Sequence, residues 1–105
     1  MELYNTRFFR KWITRLKDRN AKAKIRIRLR NIKVNNHFGD CEPVGGNVLE
    51  LRINYGPGYR VYLTMKETTV VILLIGGDKS SQARDIKRAK KLAAGRVAEE
   101  VEKWF

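Results

Sequence analysis

The first third of the chain carries apolar side chains at the spacing of a helix. Between Asn5 and Asp18 they recur three and four residues apart, and either Asn5 or Thr6 can cap the first turn. Asp18 to Asn20 then predict a short break. The apolar positions are Phe8, Phe9, Trp12, Ile13 and Leu16. They predict one amphipathic helix at the start of the domain.

The next stretch, Lys22 to Val34, alternates cations with apolar residues and can be read as a strand or as a helix. The strand pattern fails at Asn31, where it requires an apolar residue, and the stretch is long for a strand. Its Ala, Lys, Arg and Leu residues favour a helix. We therefore predict a second helix, which forms a helical hairpin with the first. One apolar side packs on the sheet or on the first helix and contains Ala21, Ile25, Leu29 and Ile32; the other is open to a protein partner and contains Ala23, Ile27 and Val34.

From Leu49 onward the apolar residues recur at every second position, which predicts a hairpin around the turn sequence YGPGY. A three-residue loop, Gly56 to Gly58, would pair Tyr55 with Tyr59 and would keep the apolar side chains on one face. The alternate positions then face outward.

That outward face carries Arg52 and Arg60. In the predicted register Arg52 lies opposite Tyr62 and Arg60 lies opposite Asn54, so the two arginines are diagonal neighbours, roughly 7–8 Å apart at the backbone. Side chains of this length can converge on one phosphate.

The last third predicts a central strand and a helix. Thr69 to Ile75 is apolar nearly throughout, as in a strand that is covered on both faces. A helix follows, capped by Ser80 or Ser81 and ended or bent at Gly95. Its inward positions are Ile86, Ala89, and Leu92 or Ala93. The final segment either packs back on the domain or forms an exposed apolar end; its stripe contains Val97, Val101, and Trp104 or Phe105.

Composition limits the number of domains and the kind of partner. The 105 residues, 43% of them hydrophobic, suffice for one domain, 1–105, and are too few for two. The formal charge of +12 predicts a negatively charged partner, either nucleic acid, an anionic membrane or an acidic protein. No apolar run approaches the ~20 residues of a membrane span, and the N-terminus lacks the apolar middle of a secretory signal. We therefore expect a cytoplasmic protein without a membrane partner.

Cysteine and histidine are too few for two common kinds of site. Cys41 is the single cysteine, which excludes an internal disulfide, and His37 is the only histidine, which excludes a zinc cluster. Cys41 reads best as a small, half-buried side chain. We expect neither a metal nor a cofactor.

The candidate chemistry lies in cations on the predicted sheet, Arg52 and Arg60, with Lys79 at the mouth of the central strand. Cleavage of RNA by the adjacent 2′-OH needs a base, an acid and a positive field at the phosphate. Guanidinium groups supply that field because their fork matches phosphate oxygens and they keep their proton. Arginines on a half-exposed sheet are more often simply solvated, so a structural interpretation stays open beside the catalytic one. The helix cations Lys22, Arg26, Arg30 and Lys33 are likewise either a solvated face or nonspecific RNA contacts.

The order of these motifs resembles the addiction-module killer proteins of the RelE/ParE superfamily, in the HigB-like branch. The likeness is carried by "LELRI", "GPGYRVY" and "GGDKSSQ" in this order after a helical hairpin, and it spans nearly the whole chain. It implies an α+β domain of the RelE-like fold. In that fold the two N-terminal helices pack on a small curved antiparallel sheet, "ELYN" adds an edge strand, and a helix lies near the C-terminus.

The resemblance also implies a function, that of the toxin in a type II toxin–antitoxin system. A cognate antitoxin, commonly a helix-turn-helix repressor, holds such a toxin silent in a hetero-oligomer. RelE-like members cut messenger RNA in the ribosomal decoding site without a metal ion, whereas ParE-like members poison DNA gyrase. We favour the ribosome-dependent endonuclease, with gyrase inhibition or an inactive antitoxin-binding module as alternatives.

Site residues follow from the same resemblance. Arg52 in "LELRI" and Arg60 in "GYRVY" match the sheet arginines that hold the phosphate in these ribonucleases. Glu42 in "CEPV" resembles the carboxylate that serves some relatives as a general base. Lys79 stands near the position where several relatives carry a Tyr or His acid. The resemblance therefore leaves the proton donor open, because Lys79 either shares in proton transfer or only neutralises charge.

Overall fold

The computed structural model describes residues 1–95 and 101–104. Strands and helices alternate irregularly along these residues, as in an α+β fold. The elements are β1 (Glu2–Asn5), α1 (Arg7–Arg15), α2 (Arg19–Asn35), β2 (Cys41–Gly45), β3 (Val48–Ile53), β4 (Tyr59–Lys66), β5 (Val70–Asp78), a 3₁₀ turn (Lys79–Ser81), α3 (Gln82–Ala94) and β6 (Glu102–Lys103). Among the described helices, none is long and apolar enough to cross a membrane.

One six-stranded sheet in the order β2-β3-β4-β5-β1-β6 organises the fold. Neighbouring strands are antiparallel except β1 and β5, which are parallel, with Glu2 paired to Val70. The helices α1 and α2 cover one face and α3 covers the other. The strand β5 is therefore central and covered on both faces, as its continuous apolar run predicts. The "ELYN" segment is β1, but it is not an edge strand, because β6 pairs with its outer side through Tyr4 and Lys103.

The helical interpretation of the first third of the chain is confirmed. The Thr6 hydroxyl caps α1 by accepting from Phe9 N at 3.1 Å, and the Asp18 carboxylate caps α2 by accepting from Ala21 N at 3.1 Å. On α2 the predicted inner positions are fully buried, whereas Ile27 is 59% exposed and Val34 is 65% exposed. The buried positions of α2 are Ala21, Ile25, Leu29 and Ile32. The alternating stretch is therefore a helix whose apolar residues lie on two sides, one buried and one exposed.

The hairpin of β3 and β4 differs from the predicted register by two residues. Ile53 pairs with Tyr59, so residues 54–58 form the loop and the predicted pairing of Tyr55 with Tyr59 is wrong. Inside the loop Gly58 N donates to Tyr55 O at 3.0 Å. Gly56 and Gly58 have φ angles of 56° and 80°, a left-handed conformation that costs glycine little.

Tyr55 lies in the loop and contacts α2. Its ring lies 5.1 Å from the Lys24 ammonium, a cation–π contact outside the hairpin that the strand pattern cannot reveal. A shift of two residues preserves the two faces of a strand. Arg52 and Arg60 therefore still share a face, but they are directly opposite each other and not diagonal.

The edge strand β2 has no alternating apolar pattern and is recognised only in the structure. Pro43 lacks a backbone donor and is tolerated because β2 has a single neighbour, β3. The register shifts between Pro43 and Gly45, where the chain turns into β3. The pairing places Glu42 directly opposite Glu50.

The C-terminal part confirms the predicted helix and, of the two alternatives for the tail, the one that packs back on the domain; the predicted single stripe is wrong. In α3, which has Gly95 as its C-cap, Ala89 is buried and its predicted neighbours are half-buried. The tail packs back as a strand, so Val101 and Trp104 contact the cores on opposite faces of the sheet. The Trp104 ring meets the Phe9 ring edge-on at 5.4 Å. Val97 and Phe105, the other members of the predicted stripe, lie outside the described residues.

The two glycines at the end of β5 make a close approach that generates a test of the packing. A methyl group on Gly76 would overlap the Trp12 ring. We expect Gly76→Ala to lower the free energy of unfolding by about 1–3 kcal/mol, because overpacking forces the ring to move. Urea denaturation measures the difference. Gly95→Ala is the control, since its methyl group would lie at an ordinary 3.5 Å from Lys91 O. Equal stability of Gly76→Ala and wild type would contradict the packing of Trp12 on β5.

Candidate functional site

Arg52 on β3 and Arg60 on β4 form one rung of the sheet, on the face that α3 covers. The predicted outward position is wrong for Arg60, which is buried with 8% of its surface exposed, while Arg52 is half-buried. Like charges directly opposite each other destabilise a strand pair. This arginine rung therefore requires compensation by nearby carboxylates.

A buried carboxylate, Glu50, lies beside both arginines. Its Oε1 is 3.2 Å from Arg52 Nε and 4.0 Å from Arg60 Nε. Its Oε2 accepts hydrogen bonds from Tyr62 Oη at 3.0 Å and Gln82 Nε2 at 2.8 Å. Because Gln82 is the first residue of α3, the same carboxylate holds the helix to the sheet. With 2% of its surface exposed, Glu50 is the centre of the polar cluster.

Glu50 is the residue of this polar cluster that sequence reasoning misses. Alternation puts it on the face of Arg52, but an acidic residue on such a strand carries no local signal of burial. Its cross-strand partner is Tyr62, a pairing that the predicted register missed because it put Tyr62 opposite Arg52. Burial, followed by the charge of Glu50, raises the pKa of the Tyr62 phenol, which therefore keeps its proton.

Glu42 on β2 supplies a second carboxylate to the rung. It forms an ion pair with Arg52 Nη2, and 62% of the Glu42 side chain is exposed. Burial would lower the pKa of Arg52, but the hydrogen bond and charge of Glu42 raise it, so the guanidinium is a permanent cation. An exposed ion pair of this kind exchanges partners at little cost.

Lys79 lies beside Arg60, at the end of β5. Its backbone N donates to Gly58 O at 2.8 Å. An ideal Cβ on Gly58 would lie 3.6 Å from Arg60 Nη1 and 3.7 Å from Lys79 Cβ. The missing side chain at Gly58 thus leaves a space that borders both cations. Of the four predicted catalytic residues, the structure pairs Arg52 with Glu42 and with Arg60, and it places the backbone and Cβ of Lys79 near Arg60.

Arg60 Nε has no hydrogen-bond partner although it is buried. Among the buried side-chain polar atoms of the described residues, it alone lacks one. The other contact of this guanidinium is Nη1, which donates to Tyr59 O at 3.3 Å. A buried donor without an acceptor is unfavourable, and a phosphate oxygen is a strong acceptor for a guanidinium.

The cations of α2 lie elsewhere, because α2 covers the opposite face of the sheet from the arginine rung. The Lys22 ammonium donates to Thr14 O at 3.1 Å. The other three line a groove of about 400 Å³ with Leu29, Val34 and Trp104; they are Arg26, Arg30 and Lys33. Their role in RNA binding stays a prediction, and the structure does not join them to the predicted catalytic residues.

Metal-ligating side chains are dispersed over the part of the chain that the structure describes. Within residues 1–95 and 101–104, no group of three His, Cys, Asp or Glu side chains could hold a metal ion. Cys41 is half-buried at the start of β2, as expected for a structural cysteine. Burial raises the pKa of its thiol.

Comparison with known proteins places these residues in a family context. Residues 11–98 match the family model described as "Phage derived protein Gp49-like (DUF891)". An uncharacterized protein of Haemophilus influenzae (strain ATCC 51907 / DSM 11121 / KW20 / Rd) is 47% identical over 93 residues, which cover 89% of this chain and 93% of that relative. The match to the family model includes the arginine rung and both of its carboxylates.

The two carboxylates of the rung generate a prediction about stability. We expect Glu50→Gln to lower the free energy of unfolding by about 3–5 kcal/mol, because it removes the buried charge between two arginines. Thermal and urea denaturation measure the effect. Glu42→Gln is the matched control and should cost less than about 1 kcal/mol, since that carboxylate is largely exposed. Similar costs for both variants would contradict the assignment of Glu50 as the central carboxylate.

Proposed function

We propose a function from one premise: the chain belongs to the Gp49-like family of phage-derived proteins, toxin-like modules of addiction systems. On the finer interpretation, it is a RelE/ParE-type toxin of the HigB-like branch with a RelE-like fold. Its activity is the cleavage of messenger RNA on the ribosome. The cleavage requires no metal ion, because the chain's own side chains supply the base, the acid and the positive field.

The observation that carries this proposal is the arginine rung itself. Two arginines lie directly opposite each other on one face of a sheet, an unfavourable arrangement that an anionic ligand relieves. One carboxylate of the rung, Glu42, is exposed and exchangeable, and Arg60 Nε lacks an acceptor. A phosphodiester placed against this face replaces Glu42 at Arg52.

The same exchange supplies a general base. When the phosphate takes its place at Arg52, the Glu42 carboxylate is released and can accept the proton of the adjacent 2′-OH. The 2′-oxygen attacks phosphorus, the bond from phosphorus to the 5′-oxygen breaks, and that oxygen takes a proton from Lys79. The products are a 2′,3′-cyclic phosphate and a 5′-hydroxyl. The arginines stabilise the negative charge that grows on the phosphate oxygens.

The net charge of +12 supports RNA as the target, since ribosomal RNA is a dense phosphate surface that attracts a small cation from solution. The cations of α2 can contribute to this attraction from the opposite face of the sheet. Gyrase inhibition does not require two paired arginines on the sheet, so we keep gyrase inhibition as the alternative function.

A second proposal concerns the partner that silences the toxin. The exposed Ile27 and Val34 lie on the outer side of α2, next to the groove lined by Arg26, Arg30 and Lys33. Apolar side chains bordered by cations complement a segment that is apolar on one side and acidic on the other. We propose that an acidic amphipathic segment of the cognate antitoxin, a helix-turn-helix repressor, binds this face and forms a hetero-oligomer.

Cleavage is tested in a cell-free translation reaction that contains ribosomes and a single message. We expect the wild-type protein to shorten the message and Arg52→Ala to slow the cleavage by about 100-fold or more, because it loses a donor to the transition state. Primer extension measures the rate and the positions. Lys91→Ala, an exposed cation of α3, is the control and should cleave at the wild-type rate.

An intact message in the presence of wild-type toxin and ribosomes would overturn the nuclease proposal. Double-strand DNA breaks trapped with gyrase, together with an intact message, would assign the gyrase alternative. Arg52→Lys separates charge from geometry, since it keeps the cation and loses the fork.

Antitoxin binding is tested with the double variant Ile27→Ser and Val34→Ser. Both side chains are exposed, so we expect an unchanged fold and antitoxin binding weaker by about tenfold or more from lost apolar contact. Calorimetry at low and high salt measures the affinity, which should fall as salt rises. Ala83→Ser, exposed on α3, is the control. Wild-type affinity in the double variant would move the interface elsewhere.

A further inference from the structure

A second and larger groove, of about 640 Å³, lies between α1 and α3 at the end of β5. Its volume is in the range of ligand sites. One wall is a single face of α1, with side chains three and four residues apart: Phe8, Lys11, Trp12, Arg15 and Leu16. The other wall has the same spacing along α3 and the residue before it: Ser81, Arg84, Asp85 and Arg88.

Backbone forms the floor of this α1–α3 groove. Gly76 and Gly77 present no side chains, so the Trp12 ring approaches from one helix and the Asp85 carboxylate from the other. The strand β1 ends at Asn5, opposite Leu73, so beyond this point α1 borders the edge of β5. The groove therefore exists because one strand is shorter than its neighbour and a helix replaces it.

Cations dominate the rim of the α1–α3 groove. Four of them, Lys11, Arg15, Arg84 and Arg88, outnumber two carboxylates. Both carboxylates accept hydrogen bonds from serines: Asp78 Oδ1 from Ser80 Oγ and Asp85 Oδ2 from Ser81 Oγ, each at 2.5 Å. The groove thus carries a net positive charge.

Aromatic rings alternate with these cations. Phe8, Trp12 and Tyr59 line the α1–α3 groove, and the Arg88 guanidinium lies 4.7 Å from the Phe8 ring centroid. Grooves for single-stranded nucleic acid combine these two features, cations along the backbone and aromatic faces for unstacked bases. A duplex keeps its bases stacked and offers none to the rings.

The α1–α3 groove opens beside the arginine rung. Gly77, in its floor, pairs with Arg60, and Tyr59, in its lining, precedes Arg60 on β4. We infer that the groove binds a single-stranded segment of RNA next to the scissile linkage, with phosphates on Lys11 and Arg15 and a base against Trp12. This inference rests on the proposed function and names the path of its substrate.

Trp12 provides a direct measurement. The chain has two tryptophans, so in a Trp104→Phe background Trp12 is the single tryptophan and is excited selectively over the tyrosines. The probe is a 2′-O-methyl oligouridine, which cannot be cleaved because its 2′-oxygen is blocked. We expect a saturable change in Trp12 fluorescence. Lys11→Gln with Arg15→Gln should weaken binding and reduce the salt slope by about 0.7 per lost contact.

Lys87→Gln with Lys91→Gln is the matched control, since it removes the same charge from exposed positions that do not line the groove. Fluorescence anisotropy of a labelled oligouridine repeats the comparison without the tryptophan change. Equal losses of oligouridine affinity in the two double variants would overturn the inference, because they would show only a general attraction of RNA to the positive charge of the protein. Polyglutamate that binds as tightly and produces the same Trp12 change would also overturn it, in favour of an acidic protein segment.

The Trp12 fluorescence test of the α1–α3 groove gives its result independently of the test of message cleavage. A Trp12 response without any cleavage of message would support the α1–α3 groove while the proposed function fails. Cleavage of message without a Trp12 response would overturn the groove alone.

Discussion

The buried carboxylate of Glu50 is the interaction on which the rest of the site depends. It lies between two arginines that would otherwise repel each other across β3 and β4. Its Oε2 accepts from both Tyr62 on β4 and Gln82 on α3, so the group that permits the arginine rung also holds the third helix. One side chain, Glu50, therefore both compensates the charge of the two arginines and holds α3 to the sheet. A change at Glu50 therefore alters the fold and the site together, whereas a change at Glu42 alters only the exposed partner of Arg52.

The two faces of the sheet differ in polarity. The face under α1 and α2 is a continuous apolar core, and the outer side of α2 carries exposed apolar side chains beside cations. The face under α3 is apolar around Tyr62 and Leu74 but polar at the arginine rung. The α1–α3 groove joins the two faces at the point where β1 ends. The proposed substrate path and the proposed antitoxin surface therefore lie on separate parts of the molecule.

The sequence could predict that Arg52 and Arg60 share one face of the sheet, but not their register or their burial. Alternation along β3 and β4 is a local property, and it assigned Arg52 and Arg60 to one face even though the register was wrong by two residues. The observed register leaves Tyr55 in the loop, where it contacts Lys24 on a distant helix, and no strand pattern contains that contact. Burial of Arg60 and Glu50 was equally beyond the pattern, because it arises from α3 lying over the strand ends. The α1–α3 groove was beyond it as well, since its walls come from opposite ends of the chain.

The sequence by itself determined the helices, the central strand and the faces of the hairpin, because each depends on the spacing of apolar residues within one segment. It also determined the excess of positive charge, which no fold can alter. The tertiary structure alone decided that the two arginines are directly opposite, that Glu50 is their buried partner, and that α1 and α3 enclose a cationic, aromatic groove. These properties depend on distances between segments far apart in the chain, and such distances are set by loop closure, edge pairing and helix packing.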